Sequence, residues 1–160
     1  DYDRAIQINP QSAEAYVNRG GAYGRLGNFN QAIKDFDRAI EINPQSAEAY
    51  VNRGLAYQNL GNYNQAIKDY DRAIDLNPQD VSTHNNRGVA YAILGNTKRA
   101  IQDFDKAIDL GPQDESAYYN RGKAYAILGN RKQSMVDMKI AARLGHKEAQ
   151  DFLRRNQISW

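Results

Sequence analysis

The sequence predicts an all-α fold in which antiparallel helix pairs stack one on the next. Three observations carry this. The string Asn-Arg-Gly recurs at residues 18, 52, 86 and 120, always 34 residues apart, and self-similarity at such a period is the mark of a repeat array. Leu-Gly-Asn recurs at 26, 60, 94 and 128, where a glycine suits the left-handed end of a helix. Asn43-Pro44, Asn77-Pro78 and Gly111-Pro112 then punctuate each period, since proline cannot continue a helix.

The elements follow in order. Residues 1–12 read as the end of a second helix, because Tyr2, Ala5, Ile6 and Pro10 align with Phe36, Ala39, Ile40 and Pro44. Its opening partner and an initiating Met are missing, so the chain is expected to be cut or processed from something longer. Tyr2, Ile6 and Ile8 then leave an apolar end. Four full repeats are expected at 13–46, 47–80, 81–114 and 115–148, the first two differing at only 8 of 34 positions. Ser12, Ser46, Asp80 and Asp114 are the expected N-caps of the opening helices. Within the first, Tyr16, Gly20 and Tyr23 share a face. Gly20 is expected to let the second helix approach at Ala32, with Ile33, Phe36 and Ile40 filling the remaining space. One such pair cannot bury both of its faces, so neighbours must stack. Residues 147–156 read as one more opening helix that caps the array, with Phe152 at the aromatic position, and residues 149–160 as the terminal cap and tail. Val136 and Ile140 replace charged residues of the second repeat, so the tail Ile158–Trp160 is expected to fold back onto them.

Composition limits the function classes. The chain of 160 residues is 41% hydrophobic and 25% charged and has no cysteine, as an ordinary water-facing fold would be. No apolar run approaches the roughly 18 residues a membrane span needs, and no membrane partner is expected. A lack of thiols fits any compartment, with the cytoplasm favoured. The net charge of +2 hides an asymmetry: residues 1–120 carry 12 Lys+Arg against 16 Asp+Glu, and residues 121–160 carry 9 against 3. Catalysis finds no support. His84 and His146 stand where the repeat has Tyr and Pro, neither with a ligand partner at metal-binding spacing, and no phosphate loop or nucleophile motif occurs. No cofactor is expected.

Small or aromatic residues at Tyr50, Gly54, Tyr57, Ala66, Tyr70, Ala73 and Pro78 resemble the tetratricopeptide repeat, and the likeness covers nearly the whole chain. It implies a right-handed α-solenoid, a superhelix whose opening helices line a concave groove that holds protein or peptide partners.

On an opening helix turning about 100° per residue, repeat positions 2, 5, 6, 9, 12 and 13 share an arc of about 120°, opposite the Tyr-Gly-Tyr face. This arc is the expected free surface. It comprises Glu14, Val17, Asn18, Gly21, Gly24 and Arg25, then Glu48, Val51, Asn52, Leu55, Gln58 and Asn59. The third repeat offers Ser82, Asn85, Asn86, Val89, Ala92 and Ile93, and the fourth Ser116, Tyr119, Asn120, Lys123, Ala126 and Ile127. Three of the eight differences between the first two repeats fall here.

One position never varies: Asn18, Asn52, Asn86 and Asn120 form a column. Asparagine is a mediocre helix former, and its amide can pair with both groups of a peptide unit. The column resembles an asparagine ladder known in this family, which implies an extended chain held without reading its sequence; the expected partner is a mainly uncharged peptide segment, extended or helical. The alternative is that each Asn bonds within its own stack. Four amides supply only a few kcal/mol, at roughly 0.5–1.5 each, against about 8 for micromolar binding. Val51, Leu55, Val89, Ile93 and Tyr119 are expected to add the rest, with Val17, Asn85 and Lys123 beside them. The family's two-carboxylate clamp for chaperone tails is absent, since Val17 and Gly21, or Val51 and Leu55, stand where Lys and Asn are needed. No nucleic acid partner is expected, for the column carries no track of cations. Self-association through the N-terminal end is the alternative function.

Arg19, Arg53, Arg87 and Arg121 are each followed sixteen residues later by Asp35, Asp69, Asp103 or Asp137. A structural Arg–Asp ladder between paired helices is expected.

Overall fold

The computed structural model describes residues 2–160, leaving Asp1 of the expected segment 1–12 outside the described residues. The described residues form ten α-helices: α1 (Tyr2–Ile8), α2 (Ala13–Arg25), α3 (Phe29–Ile42), α4 (Ala47–Asn59), α5 (Tyr63–Leu76), α6 (Val81–Ile93), α7 (Thr97–Leu110), α8 (Glu115–Ile127), α9 (Arg131–Leu144) and α10 (Lys147–Arg155). They divide into two compact units, an N-terminal one ending at Pro78 and a C-terminal one, Gln79–Trp160. No helix among the described residues is long and apolar enough to cross a membrane.

The expected punctuation is present. Ser12 and Ser46 accept from the amides of Ala15 and Ala49 at 3.2 Å, Asp80 from Thr83 at 2.8 Å, and Asp114 from Ser116 and Ala117 at 2.9 and 3.0 Å. Each satisfies amides that a helix start leaves without partners. Gly27, Gly61, Gly95 and Gly129 take φ between 75° and 78°, a conformation that only glycine adopts cheaply.

In the N-terminal unit α2 pairs with α3, α4 pairs with α5, and α3 lies against α4. Two clusters hold these seams: Val17, Ala39 and Ala49, and Ala32, Phe36 and Ala56. Small residues keep the backbones close, and one ring per pair fills the gap. The role of Gly20 differs from expectation here. A Cβ on it would lie 2.7 Å from Phe36 Cε1, so the glycine makes room for the aromatic ring rather than for the backbone at Ala32. Gly54 serves Tyr70 in the same way, at 2.7 Å.

In the C-terminal unit α6 pairs with α7, α8 with α9, and α7 lies against α8. Gly88 makes room for the ring of Phe104. The fourth pair has Met138 in place of the ring, and there a Cβ on Gly122 would lie 3.2 Å from Ser134 O and Asp137 Cβ. Met138, Ala141, Ala142, Ala149 and Leu153 form the terminal core, with Ile158 packed on it. The tail therefore folds back, but onto the α9–α10 seam; Val136, the expected seat, stays 45% exposed. An apolar side chain gains more in the deeper seam than on a half-wet helix face.

Phe152 also departs from expectation. Gly145 closes α9 in the left-handed region and His146 caps α10 at once, two residues sooner than the 34-residue step allows. Leu153, fully buried, thereby takes the half-buried place that Arg19 has in the first repeat. Phe152 takes the place of Asn18, 43% exposed on the arc rather than in the core.

Candidate functional site

Each opening helix presents two functional faces, one toward its paired helix and one toward the open arc. The inner face carries the arginines. Arg53 Nε and Nη2 donate to Asp69 Oδ2 and Oδ1 at 2.8 and 2.6 Å, and Nη1 donates to Asp37 at 2.7 Å. Arg19 does the same with Asp35 (2.8 and 2.6 Å) and Asp3 (2.7 Å). Arg121 binds Asp137 twice at 2.8 Å and Asp105 at 2.7 Å. Arg87 grips Asp103 at 2.9 and 2.6 Å. Asp35, Asp69, Asp103 and Asp137 are all buried, so two charge-assisted bonds in a fixed fork must replace their lost water. The side-chain hydrogen bonds to Asp35, Asp69 and Asp137 raise the affinity of Arg19, Arg53 and Arg121 for their protons, and burial opposes them. The expected ladder is present and structural. Sequence reasoning missed the second aspartate of each clamp, although Asp3, Asp37 and Asp105 lie sixteen residues before their arginines.

The arc residues of the N-terminal unit line a cavity of about 450 Å³: Val17, Asn18, Gly21, Gly24, Arg25, Glu48, Asn52, Leu55 and Asn59, with Phe29, Phe36 and Ala56. Its space exists because two side chains are missing. A Cβ on Gly24 would meet nothing within 4 Å and one on Gly21 only the Arg25 tip at 3.7 Å; the next repeat has Gln58 and Leu55 there. Val17 is a correction. It is only 6% exposed and packs with Ala39 and Ala49, because α4 closes over this position of α2. It forms cavity wall rather than free surface. Val51 and Leu55 are half-buried.

The asparagine column does not behave uniformly. Asn18 is exposed and Asn52 and Asn86 are half-buried, and no hydrogen bond to these three side chains occurs among the described residues. Asn120 instead donates to Asn85 Oδ1 at 3.1 Å, the within-stack bond weighed as the alternative. Position 5 decides which holds, for it is Asn85 below Asn120 but Val17 below Asn52.

In the C-terminal unit Val89 packs beside the Phe104 cluster, and Ile93 is exposed. Tyr119 has two neighbours on its ring: the His146 ring stacks on it at 4.1 Å and Lys123 Nζ sits 5.2 Å from its centroid. Tyr119, Lys123, Ala126, Ile127, Ser134, Met138 and Phe152 line a second cavity of about 360 Å³. His146 accepts from the amide of Ala149 at 3.4 Å, a capping role that suffices to explain it.

Comparison with known proteins places this architecture. Models described as tetratricopeptide repeat match residues 47–80, 69–102 and 115–144, and one described as TPR repeat matches 1–27, 25–61 and 90–129. The chain belongs to the tetratricopeptide repeat family. A comparison with curated proteins finds no match. Among solved structures it is similar to MamA, at 28% identity with a TM-score of 0.85 over 93% of this chain and 87% of that one. A second MamA structure is 26% identical, TM-score 0.81, covering 99% and 84%. PilF of Pseudomonas aeruginosa shares the fold at 23% identity and TM-score 0.79, over 91% of this chain and 69% of that one. Family and fold together support a protein-interaction scaffold.

Proposed function

We propose that the chain is a non-catalytic scaffold that holds an extended, mainly uncharged polypeptide segment against the arcs of its opening helices. One observation carries the reading: nine arc residues of α2 and α4 line a single cavity, with the amides of Asn18 and Asn52 unspent on its wall. An amide that has no partner in the protein gives up only bonds to water when it pairs with a peptide unit, and the exchange supplies roughly 0.5–1.5 kcal/mol net. Leu55 and the cavity floor then add apolar burial at about 25 cal/mol per Å². The test is calorimetric titration with a capped, uncharged peptide. Binding is expected in the micromolar to millimolar range and about tenfold weaker with Asn18→Ala plus Asn52→Ala. Affinity unchanged by the pair would sink the reading.

The alternative, self-association through α1, has the exposure of Tyr2 and Ile8 in its favour. A molar mass that rises with concentration in light scattering would support it.

A further inference from the structure

We infer that the cavity between α8, α9 and α10 receives an apolar side chain of an acidic amphipathic polypeptide segment. The inference rests on the reading of the chain as a polypeptide-holding scaffold, and adds a partner chemistry for its C-terminal unit.

Tyr119, Ile127, Met138 and Phe152 line an open recess of about 360 Å³, ample room for a leucine- or phenylalanine-sized group. Ile127 is 67% exposed. Uncovered apolar surface of this kind on a helix arc is costly in water unless something covers it. The early cap at His146 is what brings Phe152 here, two residues out of the repeat register.

Charge identifies the occupant. Residues 121–160 hold nine cations and three carboxylates, and two of the three carboxylates are engaged: Asp137 by Arg121 and Asp151 by Arg154 at 2.8 Å. Lys123 lines the cavity itself. Arg131 lies three residues before the lining residue Ser134 on α9, and Arg155 three after Phe152 on α10, a spacing that makes each a helical neighbour of the rim. No ion pair to Lys123, Arg131 or Arg155 occurs among the described residues. Three cations without a carboxylate partner, around an apolar socket, complement a segment that sets Asp or Glu on either side of Leu or Phe. A socket with walls favours an inserted side chain over a flat lipid surface.

The test uses the full chain and a fluorescein-labelled peptide alternating Asp or Glu with Leu or Phe, read by anisotropy. Its twin, with Lys for every acid, is titrated in parallel, together with phosphatidylserine vesicles and oligouridylate. The acidic peptide is expected to bind and the twin not. Lys123→Glu and Ile127→Glu, both at exposed positions, are each expected to weaken binding about tenfold without lowering Tm. Asn52→Ala is expected to leave it unchanged. Equal binding of the twin, or indifference to Ile127→Glu, overturns the inference. So does a preference for the vesicles or for the oligonucleotide. Loss with Asn52→Ala would move the site to the N-terminal unit, overturning this inference while leaving the groove reading intact.

Discussion

The Asn120 amide donates to Asn85 Oδ1 across the gap between α8 and α6, at 3.1 Å. The equivalent of Asn85 in the first repeat is Val17, which offers Asn52 nothing to bond. A column that is uniform in sequence is therefore split in chemistry, with Asn120 committed and Asn52 available.

Asn85→Val is expected to release the Asn120 side chain. Its NH2 protons, followed by NMR, should exchange with solvent faster than in the parent chain. The stability lost should be small, roughly 0.5–1.5 kcal/mol for one net hydrogen bond. Exchange left unchanged would show that the bond contributes nothing in solution.

Removing one end of an arginine clamp should sort the two aspartates by burial. Asp69→Ala leaves Arg53 without its bidentate partner at a buried seam, and is expected to cost about 3–5 kcal/mol in urea denaturation. Asp37 is 46% exposed at its side chain, so Asp37→Ala should cost about 1 kcal/mol or less. Equal losses at the two positions would contradict this geometry.

Glycines with the same backbone should respond oppositely to alanine. Gly54→Ala drives a methyl to 2.7 Å from the Tyr70 ring and is expected to destabilise by about 1–3 kcal/mol. Gly24→Ala meets nothing within 4 Å and should stabilise by up to about 1 kcal/mol through helix propensity. Thermal melts of the two variants decide it.

Gly21→Leu with Gly24→Gln copies the second repeat into the first and fills the cavity of the N-terminal unit. Melting temperature is expected to rise while affinity for an uncharged peptide falls, since the same two substitutions improve the helix and close the site. A rise in both would separate the cavity from binding.

Burial raises the tyrosine pKa of Tyr70, and the nearby charge of Asp69 adds to the shift. A group with a raised folded pKa stabilises fully below its unfolded value of about 10, and that stability is lost as pH climbs toward the folded one. Stability should therefore fall above about pH 10. Tyr70→Phe, already the residue type at Phe36 and Phe104, should flatten that alkaline arm, as denaturation at stepped pH would reveal.

Much of the fold was legible because the period repeats local chemistry. The four caps, the four left-handed glycines and the Arg–Asp pairs each depend on one or two residues whose preferences dominate their surroundings. What escaped depended on contacts between elements. Val17 looked free on a single helix, and only the approach of α4 buries it. Phe152 was placed by counting in steps of 34, whereas Gly145 and His146 shorten the connection by two residues and turn the ring outward. The candidate site was thus legible as an arc, but not which amides of that arc are already spent.

Arg19 reaches sixteen residues forward to Asp35 and sixteen back to Asp3, as Arg53 and Arg121 do with their own partners. The clamp is symmetric along the chain, so copying one whole period copies a cation together with the carboxylate it needs on each side. A gene that grows or shrinks by complete periods keeps every arginine between two carboxylates. A length change inside the helices that carry the clamp would pull an arginine out of step with the buried aspartate it serves.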